Sequence, residues 1–564
     1  MQHIQQQQQN LNRVHQQQQE NVSPQATEPW QNAATEIIVE SMGEVVAREA
    51  SGEEKEPPLP EAEYGDFNLG ITPMDAVTAT LANLGGRLFE DPDFPATSAS
   101  LTYLENPPAA SRQVVWLRPK DIVGPGKQPQ LIKDGISRSD IDQGSLADCW
   151  FLSACAAVSA RQKFMKIIIP DNQVLTGPEY HGIVWFRFWR FGKWYNVCVD
   201  DRLPTKNGKL FYGSCDDSEE FWVPLLEKAY AKLHGSYEAL CGGHTMNALL
   251  DLTGGLGEKY EVALKAEEYQ KLFLKILHAH RSGAFICASK RVQGQGQTEE
   301  VDKEGLVSGH AYTITNVVIL KQGNGLAHLI RVRNPWNSAT EWNGAWSDGH
   351  EFWNLIDKSV KEKLGLTHKA DGEFWMDYRD FAQRFSIINI CSAGPDFDGD
   401  GIPDQYGHVV MAFGNWVAGQ TAGGRRTLET YTTNPQYLLH VTHTDNFNGD
   451  PTVDRCSIVI SLMQEYRMSS RTEIPKAHYI GFHLYNVKPA DSYARKVIPI
   501  GLAEKEGPYL NCRHVSERFH LKPGYYLFVP STYDPYKEGT FLLRIFGVHK
   551  FEFIGPLQHL PNNG

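Results

Sequence analysis

The chain has 564 residues, a hydrophobic fraction of 41% and 13 tryptophans, which is enough apolar material for two or three separately packed domains. Its formal net charge of −13 at pH 7 argues against nucleic acid as a partner, because nucleic-acid-binding proteins carry basic patches. We see no apolar run of about 18 residues and no apolar signal core, which argues against integral membrane association and secretion. The nine cysteines are scattered without metal-binding spacing, as is typical of a reducing compartment, so we expect a cytoplasmic protein.

Residues 1–80 are expected to be a disordered N-terminal region, rich in glutamine at first and acidic later. Such a composition buries too little apolar surface to offset the entropy lost on ordering. One apolar stretch, Ile37–Val39, is either a docking element or part of a plain flexible tail. Helical spacing over Met74–Leu88 predicts a helix that leads into the folded part of the chain.

Residues 81–395 are expected to form one two-lobed unit. The lobe at about 81–250 is predicted to be mainly helical, with an apolar helix at Cys149–Val158 that Asp148 caps. It also contains a second helix at Trp222–Leu240 and a hairpin that turns at Gly192. The lobe at about 251–395 is predicted to be a sheet, with strands at Ala284–Ser289, Ala311–Lys321, Leu326–Arg333 and Arg384–Cys391.

Residues 410–564 change to short alternating strands separated by turns, which predicts an antiparallel β-sandwich. Residues 396–409 would be an acidic linker before it. The predicted strands are Gln436–Thr442, Ser457–Met463, Tyr479–Val487, Tyr525–Pro530 and Gly539–Phe546. The fold class predicted for the whole chain is therefore α+β.

A candidate catalytic set is spread over the two lobes. Cys149 would lie in the first turn of its helix, where unpaired N–H groups and the helix dipole favour a thiolate. Gln143 is close enough in sequence to donate its amide to a developing oxyanion. His310 begins one strand and Asn334 ends the next, so the order of residue types is Cys, His, Asn, as in papain. A lone cysteine at a helix start is more often structural, but this combination favours a nucleophile with a base and an orienting group.

The motifs QGSLADCW at 143–150, GHAY at 309–312 and RNPW at 333–336 resemble those of the calpain family. The resemblance covers roughly residues 80–555. It implies a papain-like, two-lobed cysteine protease core followed by a β-sandwich of the calpain domain III type. Ala147 departs from the pattern, because calpains usually have glycine before the aspartate, and lower activity is expected if that position needs a positive φ.

The resemblance also implies calcium as cofactor, bound at two sites in the protease core. Oxygen donors are the ligands that calcium requires, and both sets supply them. Salt bridges are the alternative use for these acids. The first set is Gly135, Asp140 and Glu220, with the carbonyl of Lys133; the second is Glu341, Asp348, Asp371 and Glu373, with the carbonyl of Lys369.

A further acidic loop lies between the core and the sandwich. Asp396, Asp398, Asp400 and Asp404, with Gly401 at the sixth position, match the first part of a calcium-binding loop. The twelfth position is Gly407, so the bidentate glutamate that completes such a loop is missing. The loop is therefore either a third, weak calcium site or an acidic turn at the domain junction.

The leading interpretation is an intracellular, calcium-dependent cysteine endopeptidase that makes limited cuts in protein substrates. Two alternatives are a catalytically silent scaffold, which binds partners through the sandwich and the N-terminal tail, and a calcium-independent papain-like protease. The sandwich would provide any peripheral membrane contact. Because the resemblance ends without the penta-EF-hand domain of conventional calpains, we expect an atypical calpain that needs no penta-EF-hand small subunit.

Overall fold

The structure is a computed structural model, and it describes fifteen segments of the chain. The acidic loop at 396–404 and almost all of the N-terminal region lie outside the described residues. The described segments are 35–37, 85–102, 113–262, 266–290, 300–322, 325–336, 340–367, 369, 371–392, 408–445, 454–465, 477–488, 503–506, 508–547 and 549–557.

The first lobe packs around helix α3, Cys149–Ser159, all of whose residues are buried. A helix that is apolar on every side can be stable only inside a core, so the others surround it. The helices of this lobe are α1 (Ser98–Leu101), α2 (Pro119–Val123), α3, α4 (Gln162–Ile168), α5 (Trp222–His234) and α6 (Thr245–Thr253). Its strands are β2 (Val115–Leu117), β3 (Ile141–Asp142), β4 (Ile183–Arg190), β5 (Lys193–Asp200), β6 (Leu203–Lys206), β7 (Lys209–Leu210) and β8 (Ser214–Cys215).

Two predicted elements of this lobe end at glycines. The β4–β5 hairpin turns at Phe191 and Gly192, which have φ values of 45° and 93°, as a two-residue hairpin loop requires. The helix predicted to reach Leu240 stops at His234, because Gly235 adopts a φ of 99° and ends it in a left-handed cap. A short 3₁₀ helix, Glu238–Leu240, follows.

The second lobe is an antiparallel sheet with strand order β13-β12-β11-β10-β14-β9 among the described residues. Its strands are β9 (Leu256–Glu261), β10 (Phe285–Ser289), β11 (Ala311–Gln322), β12 (Gly325–Arg333), β13 (Glu373–Asp377) and β14 (Ile387–Ser392). The helices are α7 (Ala266–Arg281), α8 (Lys358–Lys363) and α9 (Tyr378–Arg384). The strand predicted to begin at Arg384 begins at Ile387 instead, because Asp377 accepts a hydrogen bond from the N–H of Arg379 and starts α9.

The N-terminal region contributes one described strand, β1 (Thr35–Ile37). It pairs antiparallel with the end of β11, with Ile37 opposite Leu320. The docking alternative for Ile37–Val39 therefore has a place on the chain's own sheet at Ile37, while Ile38 and Val39 lie outside the described residues. The helix predicted over Met74–Leu88 is wrong for residues 85–88, which are a turn and irregular chain. The rest of that prediction lies outside the described residues.

The C-terminal part is a β-sandwich of two antiparallel sheets, with strand orders β15-β23-β17-β21 and β19-β18-β22-β16-β24; β20 pairs with β18. All five predicted strands are present, and β15 and β21 are the longest additions. The α+β fold class is therefore confirmed. The strands are β15 (His408–Trp416), β16 (Tyr437–Val441), β17 (Cys456–Gln464), β18 (Tyr479–Val487), β19 (Ala503–Glu506), β20 (Leu510–Asn511), β21 (His514–Leu521), β22 (Gly524–Thr532), β23 (Gly539–Gly547) and β24 (Glu552–Ile554).

Buried charges join the sandwich to the protease lobes. Asp251 at the end of α6 pairs with Arg513 of the sandwich at 2.6 Å and with Arg190 of its own lobe at 3.0 Å. Arg544 donates to the carbonyls of Gly254 and Gly255 at 2.5 and 2.7 Å. Because these groups are almost fully buried, Arg513 and Arg544 of the sandwich rely on partners in the protease core.

Candidate active site

Cys149 is the first residue of α3 and is only 6% exposed. Asp148 occupies the N-cap position as predicted, and its carbonyl accepts from the N–H groups of Phe151 and Leu152 at 2.8 and 3.2 Å. Its side chain makes no capping hydrogen bond, which differs from the predicted cap. The buried carboxylate instead faces Glu227, where burial and the charge of Asp148 raise the pKa of the Glu227 carboxyl well above its usual range.

Helix α3 is hydrogen-bonded into the second lobe. The Ser153 hydroxyl, one turn after Cys149, donates to the carbonyl of Ala311 at 2.9 Å. The Thr313 hydroxyl donates to the carbonyl of Ser153 at 2.7 Å. Since Ala311 directly follows His310, the two lobes meet along the helix that carries the candidate nucleophile.

His310 and Asn334 are fully buried and bonded to each other. His310 Nε2 lies 2.8 Å from Asn334 Oδ1. The Trp336 ring lies 4.9 Å from the imidazole, and its backbone N–H donates to the same Oδ1 at 3.1 Å. Because Nε2 is bonded to the amide, Nδ1 is the ring nitrogen that can exchange a proton with a thiol.

Cys149 and His310 line one cavity of about 700 Å³. Gly243 forms part of its wall and packs against Trp150, where an added Cβ would come within 2.3 Å of the indole. A second space of about 240 Å³ is lined by Gln143 and Trp336. The structure thus brings the cysteine and the histidine to one cleft, with the tryptophan beside the histidine.

Gln143 lines the smaller space, which shares Ala147 with the cleft, and its amide is already engaged. Its Nε2 donates to the carbonyl of Leu146 at 2.7 Å, and its backbone N–H donates to the carbonyl of Pro335 at 3.2 Å. A primary amide has two N–H donors, so one remains for an oxyanion. Gly144 permits this tight loop, because a Cβ there would come within 2.1 Å of the Tyr212 carbonyl oxygen.

Comparison with known proteins agrees with this geometry. The family model described as "Calpain family cysteine protease" matches residues 89–392, and the one described as "Calpain large subunit, domain III" matches residues 412–546. The chain belongs to the calpain family. The family prediction made from the motifs is confirmed, and so is its assignment to the cysteine proteases.

Known calpains match this one over most of its length. Calpain-B of Drosophila melanogaster is 41% identical over 483 residues, which cover 83% of this chain and 50% of the relative. The Calpain-2 catalytic subunit of Gallus gallus is 40% identical over 474 residues, covering 82% and 66%. Calpain-9 of Homo sapiens is 39% identical over 470 residues, covering 82% and 65%. The chain thus spans between one half and two thirds of the length of these relatives.

The first acidic set of this calpain surrounds the turn at Gly135, which has a φ of 95°. Asp140 accepts from the N–H of Ser137 at 2.7 Å, and Glu220 accepts from the N–H of Lys133 at 2.7 Å. Burial raises the pKa of Glu220 to about 7, and the charge of Asp140 adds to the rise. A buried and a half-buried carboxylate that repel each other suit a bound cation.

The second acidic set is divided between an acidic cluster and an ion pair. Burial raises the pKa of Glu341 to about 7, with Asp348 and Asp371 contributing like charge. The Glu373 carboxylate is instead held by Arg331 at 2.5 Å and by Arg138 of the first lobe at 3.0 Å. Glu341, Asp348 and Asp371 thus fit a calcium site, whereas Glu373 has only its carbonyl to offer.

Neither set forms a ready metal centre in the described residues. Within those ranges, no group of three or more His, Cys, Asp or Glu side chains is arranged to hold a metal ion. The tentative loop ligands Asp396, Asp398, Asp400 and Asp404 lie outside the described residues. Among the described residues, no helix is both long enough and apolar enough to cross a membrane.

The sequence did not point to two residues that connect distant parts of the protease core. Arg138 joins the lobes through Glu373, and no local pattern distinguishes it from a surface arginine. The second is Gly372, whose carbonyl accepts from the backbone N–H of Asn334 at 2.8 Å. Its own N–H donates to Glu341 at 2.8 Å, so the second acidic set is two hydrogen bonds from the candidate triad.

Proposed function

We propose that this calpain is a calcium-dependent cysteine endopeptidase that makes limited cuts in protein substrates. The observation that carries the proposal is the buried His310–Asn334 pair, which lies beside Trp336 and shares a cleft with Cys149. Thiol catalysis uses an imidazole that a neutral amide orients, in the same cleft as a cysteine at the start of a helix. A buried pair of this kind has little structural purpose.

The proposed chemistry follows from the positions of these groups. The Cys149 thiol gives its proton to His310, and the sulfur forms a bond to the scissile carbonyl carbon while the carbonyl oxygen takes the negative charge. The backbone N–H of Cys149 and the second amide N–H of Gln143 would hold that oxygen. His310 then protonates the amine as the C–N bond breaks, which releases the amine product and leaves a thioester. Water, with His310 as the base, attacks that thioester, and the C–S bond breaks to release the carboxylic acid and restore the Cys149 thiol.

Asn334 would hold the imidazole in the productive orientation throughout. Trp336 would cover the His310–Asn334 bond and keep water from competing for it, which makes that bond stronger. Neither residue exchanges a proton with the substrate, so both act through His310 rather than on the substrate.

Calcium would bind Asp140 and Glu220 in the first lobe and Glu341, Asp348 and Asp371 in the second, with backbone carbonyls completing each set. When bound, it would neutralise the repelling carboxylates in each lobe. Two contacts support a regulatory effect: Gly372 connects Glu341 to Asn334, and the Arg138–Glu373 pair connects the lobes. A conformational equilibrium would then shift toward the aligned cleft, because calcium binds that state better.

The domain division and the location are also proposals. We propose a protease core at 81–395, an acidic linker at 396–409 and a sandwich at 410–564, after an N-terminal region at 1–80. We also propose a cytoplasmic location, since no disulfide joins any of the nine cysteines.

The test is casein hydrolysis by the purified full chain, with calcium and with excess chelator. We expect activity that requires calcium and that disappears in Cys149→Ala. The matched control is Cys155→Ala, which removes a buried thiol from the same helix and should keep the activity. A peptidyl probe that alkylates active-site thiols should label the wild type and not Cys149→Ala.

Other outcomes assign the alternatives. Hydrolysis at full rate in chelator would leave a calcium-independent protease. No hydrolysis and no labelling, from a chain that is folded by circular dichroism, would leave the silent scaffold. Activity that persists in Cys149→Ala would refute the assignment of the nucleophile.

A further inference from the structure

The cleft beside Cys149 has a wall that comes from the β-sandwich. The cavity lined by Cys149 and His310 is also lined by the segment from Pro508 to Glu517, which includes β20. Leu510 and Asn511, the two residues of β20, are both exposed there. A protein substrate bound at the nucleophile therefore has a surface of the sandwich within the same cavity.

This wall is fixed to the protease core and does not hang from a linker. Arg513, between the exposed residues and β21, is buried and bonded to Asp251 of the first lobe at 2.6 Å. His514 packs so closely on β9 that a Cβ at Gly257 would come within 2.9 Å of its Nε2. Arg518 pairs with Glu258 at 2.9 Å. The sandwich wall is thus held by contacts with α6 and β9, whose residues line the same cavity.

We propose that the sandwich supplies a substrate-binding wall of the cleft, and that Leu510 on this wall selects an aliphatic side chain in an extended polypeptide. The inference rests on the proposed endopeptidase function. The sandwich would bind a substrate residue that lies away from the scissile bond.

The composition of the wall supports this choice of ligand. Leu510 is a large apolar side chain that is 41% exposed, and the apolar residues Pro508 and Val515 of the same wall also line the cavity. The polar residues Asn511, Asn389, Lys259 and Glu261 line the same cavity. An apolar centre with a polar rim is the usual composition of a peptide-binding surface, and amide side chains can bond to a substrate backbone. A cavity of about 700 Å³ is also large enough for several residues.

The experiment measures kcat/KM of the full chain, with calcium present, for two substrates. One is a short dipeptidyl amide reporter, and the other is a decapeptide around the same scissile bond, with leucine or aspartate placed at each outer position in turn. In the wild type, one outer position should prefer leucine. In Leu510→Asp, the ratio of kcat/KM for the leucine decapeptide to that for the short reporter should fall about tenfold.

The matched control is Ile554→Asp, since Ile554 is 45% exposed on β24 of the same sheet and does not line the cavity. It should leave the ratio unchanged. An equal ratio in the wild type and Leu510→Asp, or an equal fall in Ile554→Asp, overturns the inference while leaving the endopeptidase intact. A wild type that cuts neither substrate overturns the proposed function together with the inference.

Discussion

Replacing Asp251 with asparagine tests how firmly the sandwich is joined to the protease core. The Asp251 carboxylate bonds to Arg513 at 2.6 Å, to Arg190 at 3.0 Å and to the Tyr230 hydroxyl at 2.9 Å. The amide of asparagine keeps one acceptor oxygen but leaves two buried guanidinium groups without a counter-charge. Because breaking a buried ion pair from one side costs about 3–5 kcal/mol, we expect Asp251→Asn to lower the free energy of unfolding by that amount.

The companion variant Arg513→Met removes a single partner and leaves no buried charge alone. Asp251 keeps Arg190 and Tyr230, so the expected loss is that of one charged hydrogen bond, about 1.5–3 kcal/mol. The surface control is Asp454→Asn, whose partner Lys522 lies 2.7 Å away on the exposed face of the sandwich. We expect no measurable change there, because exposed pairs contribute little.

The assay is urea unfolding of the full chain at pH 7, followed by tryptophan fluorescence and by circular dichroism. Two domains that stabilise each other should unfold together in the wild type, and Asp251→Asn should separate the two signals. The reasoning is refuted if Asp251→Asn loses no more stability than Arg513→Met. A loss of less than about 1 kcal/mol would also refute it, since exposed pairs already fall in that range.

Three further predictions concern the cleft, the calcium response and pH. Asn334→Ala should lower kcat by about a hundredfold or less with little change in KM, because it removes the orienting group and keeps the nucleophile. Steady-state kinetics measures both constants, and an equal loss in Asn334→Asp would contradict a purely orienting role. Arg138→Ala should raise the calcium concentration for half-maximal activity, because the lobes lose their link through Glu373, whereas the exposed control Lys358→Ala should not; an unchanged calcium titration would separate the ion pair from regulation. Burial lowers the pKa of His280 to about 4 from an ordinary 6.5, so the folded state disfavours its protonation, and its contribution to stability is complete above pH 6.5 and declines as the pH falls toward 4. In His280→Leu, the slope of unfolding free energy against pH in that window should be shallower by about 1.4 kcal/mol per pH unit, and equal slopes in the two proteins would show that His280 does not titrate with unfolding.

Local sequence was enough to predict the candidate triad and most strands. Cys149 begins a run that is apolar on all sides, and His310 and Asn334 lie at the ends of strands rich in β-branched residues. The sequence pattern therefore indicated both these elements and the polar residues at their ends. Helix α7 was not predicted, although its pattern was present in the sequence. Phe273, Ile276 and Leu277 recur at helical spacing and are buried.

Contacts between distant segments could not be predicted in the same way. The link from Arg138 to Glu373 spans two lobes, and the approach of Leu510 to the cleft spans two domains. Neither depends on the periodicity of its own element, since both follow from how complete domains pack. The sequence therefore indicated candidate site residues more readily than it indicated the surfaces that surround them.

The anchoring of α3 has a mechanical consequence. Ser153 and Thr313 tie the middle of this helix to the strand that follows His310, so the lobes cannot separate along it without breaking buried hydrogen bonds. Any relative movement of the lobes is then a rotation about a pivot near Cys149, and displacement grows with distance from that pivot. Cys149 would stay nearly still while the parts of the lobes far from it travel furthest. Segments far from the pivot, where a small force has the longest lever arm, are the places from which such a rotation is most easily driven.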